Sequence, residues 1–280
     1  MLSQPSKFTK TAAQLALVLW ALAVLYPLLW TLLSTLKDNS QFLAGRPWAL
    51  PKSPLHWEHF SYVWRTYHFN DYFLNSVYVT TVSSVLAILL SATTAYVFSR
   101  FEFRGRRLMY GVYMAAMMIP MILGLVPLFF LLDDLGLINK LTGLIIVYTA
   151  WSLPFGVFVL GGFFRSLPKE LEEAAYVDGS GYFRTLFQIM IPMARSGIVS
   201  IAIMNALNNW NEYVMGTIFV NDPSKYTLPV GISIMQAEMQ YRVEWGPLFA
   251  GLLISMVPVV FVYIFFQRRI AEGIIAGAIK

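Results

Sequence analysis

Cysteine is absent from this sequence, histidine occurs three times, and charged residues make up only 12% of its 280 positions. Without cysteine there is no disulfide, no thiol nucleophile and no thiolate-held metal. No GxxxxGK[ST] phosphate loop occurs, which excludes ATP hydrolysis by that route. A G-x-S-x-G nucleophile elbow and an HExxH zinc pair are missing too. His56, His59 and His68 share one loop. The spacing of the first two suggests a metal, but no third ligand is near, so they are taken as loop histidines. No catalytic, cofactor-binding or metal-binding residue emerges, and no enzymatic reaction is expected of the chain.

What is abundant is hydrocarbon. Hydrophobic residues make up 58% of the chain, and the mean hydropathy is +0.61. Several apolar runs exceed the roughly 18–20 residues that a bilayer demands. The fold class is therefore all-α, a polytopic membrane protein with six expected spans. These run from Thr11 to Ser34, Tyr72 to Phe98, Leu108 to Leu132, Leu141 to Phe164, Gly197 to Phe219 and Gly246 to Phe266. The first is read as a span and not a removed signal peptide, since no small-residue cleavage site follows it. Pro120, Pro127, Pro154 and Pro258 fall inside spans and are expected to bend them. The net charge of +5 is no nucleic-acid signal, because the basic residues sit in loops beside spans. The termini and the two loops on their side carry 13 Lys and Arg, the opposite side 7. The richer side is normally cytoplasmic, so both termini are expected there. Arg100, Arg104, Arg106 and Arg107 form the densest basic cluster, expected to set topology and touch lipid headgroups.

Two polar features stand out. Pro168 to Ser196 is the longest polar run between spans in the second half of the chain. Ser166 can cap a helix there, Pro168 can enter its first turn, and Glu170, Glu172 and Glu173 load that end with negative charge. Leu171, Ala174, Ala175 and Asp178 share one helical face. Gly179 and Gly181 break the helix, and a second helix follows from Tyr182. This is the pattern of a docking element between spans. In the fifth span, Asn205, Asn208 and Asn209 are spaced for one face, which Glu212 continues. Polar groups inside a membrane are expensive and mark pathways, so these four are candidate translocation-path residues. Alternatively, the span ends near Trp210 and Glu212 lies at the outer headgroups.

Glu173-Ala174-Ala175, three residues, Gly179, nine residues and Ile189-Met190-Ile191-Pro192 resemble the EAA signature of permease subunits of ATP-binding-cassette importers. Ile191 stands where Leu is usual, Ser180 where Ala is common, and Ser196 where a second Pro often occurs. YPLLWTLLSTLK, YFLNSVYVT, FRGRR, WNEY and the tail QRRIAEGIIAGAIK are similar to the carbohydrate, maltose-type branch. The tail residues Gln267, Arg268, Gly273, Ala276, Gly277, Ala278 and Lys280 carry the sharpest match. The resemblance implies a type I importer permease fold with a cytoplasmic coupling helix, and a division of the chain at fixed points. Residues 1–10 form a cytoplasmic N-terminus, 11–72 the first span and an outward loop, 73–267 the permease domain, and 268–280 a cytoplasmic tail.

It further implies that Glu173, Ala174, Ala175, Asp178, Gly179 and Pro192 receive a separate ATPase dimer, which would hold ATP and Mg. A second permease subunit, an extracytoplasmic sugar-binding protein docking at loops 37–71 and 220–245, and the lipid of a bacterial cytoplasmic membrane complete the implied partners. The implied function is ATP-dependent import of a sugar or oligosaccharide. The same motifs on a permease for a non-sugar solute are one alternative. An ion-coupled secondary transporter would need intramembrane acids and a repeat, and only Glu212 qualifies. An intramembrane enzyme would need a buried catalytic pair, which is not found.

Overall fold

The computed structural model describes residues 7–46 and 48–278, with side chains described for 8–46 and 48–267. Residues 1–6 of the expected N-terminal segment and Lys280 of the tail lie outside the described residues. Of Arg268, Gly273, Ala276, Gly277 and Ala278 only the backbone is described.

In chain order the helices are α1 (Lys7–Thr35), α2 (Asn39–Leu43), α3 (Glu58–Thr66), α4 (Phe69–Arg100), α5 (Arg106–Ala116), α6 (Met121–Asp134) and α7 (Leu141–Ser166). There follow α8 (Glu170–Val177), α9 (Tyr182–Met193), α10 (Arg195–Asn211), α11 (Val214–Phe219), α12 (Leu228–Glu238) and α13 (Trp245–Ala278). Among the described residues four helices are long and apolar enough to cross a membrane, and up to six spans result if each of two bent pairs counts as one. Leu17, Trp20 and Leu25 of α1 are exposed together, because a helix that is apolar all round turns hydrocarbon outward to lipid.

One compact unit comprises the chain up to Phe69 together with Ile232–Met256. Aromatic contacts hold it. Trp30 meets Phe249 edge-on at 5.2 Å, and Phe42 stacks on Phe249 at 5.6 Å. The loops at 37–71 and 220–245 meet here: Asn39 donates to the Val243 carbonyl (2.6 Å), and the Tyr67 hydroxyl donates to Glu244 (2.9 Å). Burial, and then Glu244, push the Tyr67 hydroxyl well above the usual tyrosine range. Neither loop is simply polar coil. The first contains α2 and α3. The second contains α12, whose Leu228, Val230 and Met235 are buried.

The second unit comprises Asn70–Gly231 and the chain from Val257. Its core is α7, with Val157, Leu160 and Phe164 packed on Ala92, Ala95 and Tyr96 of α4 and on Met190 of α9. Small residues permit the approach. A Cβ on Gly156 would overlap Ser91 of α4, so glycine is required where the two helices cross.

Two expected spans need correction. The third is not one helix from Leu108 to Leu132: α5 and α6 meet at 105°. Pro120 has no N–H to donate back and drives its predecessor out of the helical region, so the chain turns at Met117–Pro120. Pro127, Pro154 and Pro258 all stay inside helices. The fifth does not run to Phe219. α10 ends at Asn211, Glu212 is extended (φ −72°, ψ 126°), and the short α11 follows.

Gly156→Leu forces a branched side chain into the α4–α7 crossing. It is expected to cost about 1–3 kcal/mol, read as a fall in melting temperature in detergent. Gly162→Ala, where a Cβ meets nothing within 4 Å, should leave the melting temperature unchanged.

Candidate functional site

The polar stretch after α7 begins with a correction. Ser166 does not cap α8; its hydroxyl donates back to the Phe163 carbonyl (2.7 Å) inside α7, and no side chain caps α8. Glu170, Glu172 and Glu173 do occupy the first turn of α8, where carboxylates suit the helix dipole. Its inward face is Glu172 and Ala175, while Ala174 and Asp178, expected on one face with Ala175, point to solvent.

An acid is buried there because α4 supplies its partners. The Tyr96 hydroxyl donates to Glu172 Oε1 at 2.7 Å, and Arg100 Nε lies 2.9 Å from Oε2. The two ionised side chains are 6% and 9% exposed. Arg100 also donates to the Leu167 carbonyl at 2.8 Å, so one guanidinium joins the end of α4, the end of α7 and α8. Arg100 therefore does not belong to the lipid-facing cluster expected at Arg100–Arg107. Phe101 packs on Tyr182, and Tyr182 on Tyr176, closing the other side.

α8 ends in a Schellman motif. The Ser180 amide donates to Ala175 O (2.9 Å) and the Gly179 amide to Tyr176 O (3.0 Å). Gly179 sits at φ +79°, a conformation that strains any L side chain. Gly181 is extended and does not need to be glycine. Beyond it, α9 passes through a π turn at Leu186–Met190, in which the Ile191 amide reaches Leu186 O. Pro192 follows, and α9 meets α10 at 79° around Ala194. Glu173 and Ala174 are left exposed, beside Val177 at 88% and Phe183 at 80% exposure. Ala175 is buried within the chain.

The second candidate set comes together. Asn205, Asn208, Asn209 and Glu212 line one cavity of about 210 Å³ with Tyr148 and Ser152. Trp151 and Phe155 of α7 line it as well. The Tyr148 hydroxyl donates to Glu212 Oε2 at 2.5 Å. Asn209 donates to Ser83 Oγ at 2.9 Å, and that hydroxyl donates to Val79 O. Asn205 is 3% exposed with its Nδ2 unpartnered. Glu212 also accepts from the Met215 amide (2.8 Å) and the Gly216 amide (3.2 Å), capping α11 with its own side chain. The helix does stop near Trp210, but this carboxylate is turned inward. It bonds to a residue about two turns, roughly 10 Å, along α7 from its start.

Sequence reasoning missed Tyr148, Trp151, Ser152 and Phe155 as lining. The signal was present, since they recur at i, i+3, i+4 and i+7 in an apolar span. It missed Glu172 and Arg100 as a pair because 72 positions separate them.

The match to the family described as "Binding-protein-dependent transport system inner membrane component" covers residues 61–275. The chain belongs to this family. The permease is 42% identical over 266 residues to the diacetylchitobiose uptake system permease protein NgcG of Streptomyces coelicolor, covering 94% of this chain and 87% of that protein. It is 32% identical to the trehalose/maltose transport system permease protein MalG of Thermococcus litoralis, covering 94% of each. Its fold matches a chain in the crystal structure of a bacterial transporter involved in import of the acidic polysaccharide alginate. There the TM-score is 0.80, with 22% identity over 95% of this chain and 98% of that one. The permease is thus a multi-pass membrane component of a transport system, with a type I importer fold and no enzyme's family.

Removing one partner of the buried pair strands the other charge. Glu172→Ala is expected to destabilise the permease by about 3–5 kcal/mol, read as a lowered melting temperature. The double replacement Arg100→Met with Glu172→Leu should recover most of it.

Proposed function

We propose that this permease is one of two membrane subunits of an ATP-driven importer for a sugar or oligosaccharide in a bacterial cytoplasmic membrane, with both termini in the cytoplasm. ATP and Mg are held by a separate ATPase dimer. α8 is the coupling helix: Glu173 pairs with a cation of the ATPase, Ala174 admits close approach, and Val177 and Phe183 give the contact an apolar centre. Asp178 and Gly179 close the helix, and Pro192 directs the chain into α10. Ala175 contributes by packing α8 onto its own chain. The exposed Val177 and Phe183 beside Glu173 carry this reading, because apolar side chains at a polar surface mark a partner site.

The cargo reading rests on the cavity of Asn205, Asn208, Asn209 and Glu212. Amide donors and acceptors answer sugar hydroxyls, and the faces of Trp151 and Phe155 answer the apolar C–H face of a sugar ring. The diacetylchitobiose and trehalose/maltose relatives agree with that chemistry. A sugar-binding protein docks where loops 37–71 and 220–245 meet. Closure of the ATPase dimer on nucleotide moves α8 and shifts the permease between inward- and outward-facing states.

Glu173→Lys, and separately Gly179→Asp, should abolish sugar uptake and ATPase co-purification while the protein remains in the membrane. Normal co-purification in both would overturn the coupling assignment. Asn205→Leu should lower uptake without releasing the ATPase; unchanged uptake would remove Asn205 from the path. Finally, ATP consumption by the reconstituted complex should rise with the sugar-loaded binding protein, and indifference to it would refute coupling.

A further inference from the structure

At the level where α4 and α7 end, a cavity of about 750 Å³ opens among Phe98, Glu102, Arg106, Arg107, Tyr110 and Arg165. Three guanidiniums reach it from two directions, Arg106 and Arg107 from the first turn of α5 and Arg165 from the last turn of α7. Glu102 is the one acid in the lining. Among the described residues none of the three arginines has an ion pair, whereas Arg100, at the end of α4, is neutralised by Glu172. Converging like charges repel unless an anion joins them. No side chain caps α5, whose first amides and dipole face the same end; Gly105 before it turns the chain at φ +88°. Phe98 and Tyr110 supply an apolar wall.

We infer that this cavity binds the phosphodiester headgroup of an anionic phospholipid. Arg106, Arg107 and Arg165 hold the phosphate oxygens, and the aromatic wall lies along the glycerol and the first acyl carbons. Position separates a lipid from a soluble phosphate: both long apolar helices end at the cavity, so it sits at the membrane boundary. This goes beyond transport and does not depend on which solute is carried.

The full-length permease, purified in mild detergent, is titrated with phosphatidylglycerol, with phosphatidylcholine and with inorganic phosphate. Melting temperature is read in each arm, and retained lipid is read by mass spectrometry. Phosphatidylglycerol alone should raise the melting temperature. Arg106→Gln with Arg107→Gln should cut its retention about tenfold, while Arg104→Gln, off the cavity, should not. Should the double variant fold poorly, Arg165→Gln carries the same measurement. Retention unchanged in these variants, or lost equally in Arg104→Gln, overturns the site. Equal stabilisation by inorganic phosphate makes it a soluble-anion site and overturns the lipid. ATPase co-purification lost at unchanged lipid retention makes it a protein contact, with the same consequence.

Discussion

The buried pair of Arg100 and Glu172 is the constraint that holds α8 against the ends of α4 and α7. A carboxylate and a guanidinium withdrawn from water cost several kcal/mol each, and attraction offsets this only when geometry and further hydrogen bonds are good. Here Tyr96 donates to the free carboxylate oxygen and the Leu167 carbonyl accepts from the guanidinium. The result is a strut from α4 to α8 that also grips the end of α7. An apolar contact would permit sliding. A pair whose separation exposes two desolvated charges resists it, which ties α8 to α4.

Elsewhere three departures from straight helices have three physical reasons. Pro120 cannot continue the backbone ladder, and α5 and α6 part at 105°. Gly179 adopts a left-handed conformation that lets α8 close its own carbonyls. Glu212, extended just past the end of α10, caps the start of α11 with its side chain, accepting from the amides of Met215 and Gly216. The last break also creates the polar cavity, because the same carboxylate receives the Tyr148 hydroxyl. Backbone capping and cavity lining are a single arrangement of one residue.

Much of this was legible in the residues. Apolar runs long enough to span a bilayer define α1, α4 and α7 within a few residues, and likewise the apolar part of α13, Trp245–Gln267, though not its continuation to Ala278. Glycine at the end of an acidic short helix predicted the α8 terminus, and the asparagine spacing predicted the shared cavity face. Proline was ambiguous: Pro120 breaks a helix while Pro127, Pro154 and Pro258 do not. A freed carbonyl can be repaired by neighbours that sequence order does not reveal. Ser166 was misplaced as a cap, because a hydroxyl bonds equally well back into the helix it ends.

By itself the sequence determined the class of the molecule and its local punctuation: helices in a membrane, no cysteine or phosphate-loop chemistry, a polar stretch between spans, and asparagines on one face. These follow from composition and from periods of three and four residues. Only the tertiary structure decided which polar groups are withdrawn from water. Glu172 and Glu173 are adjacent acids with the same propensities. One is buried and the other exposed because Tyr96 and Arg100, more than 70 positions earlier, meet α8 on one side only. Partnership across the chain sets the cost of burying a charge, and that cost is invisible until the chain has folded.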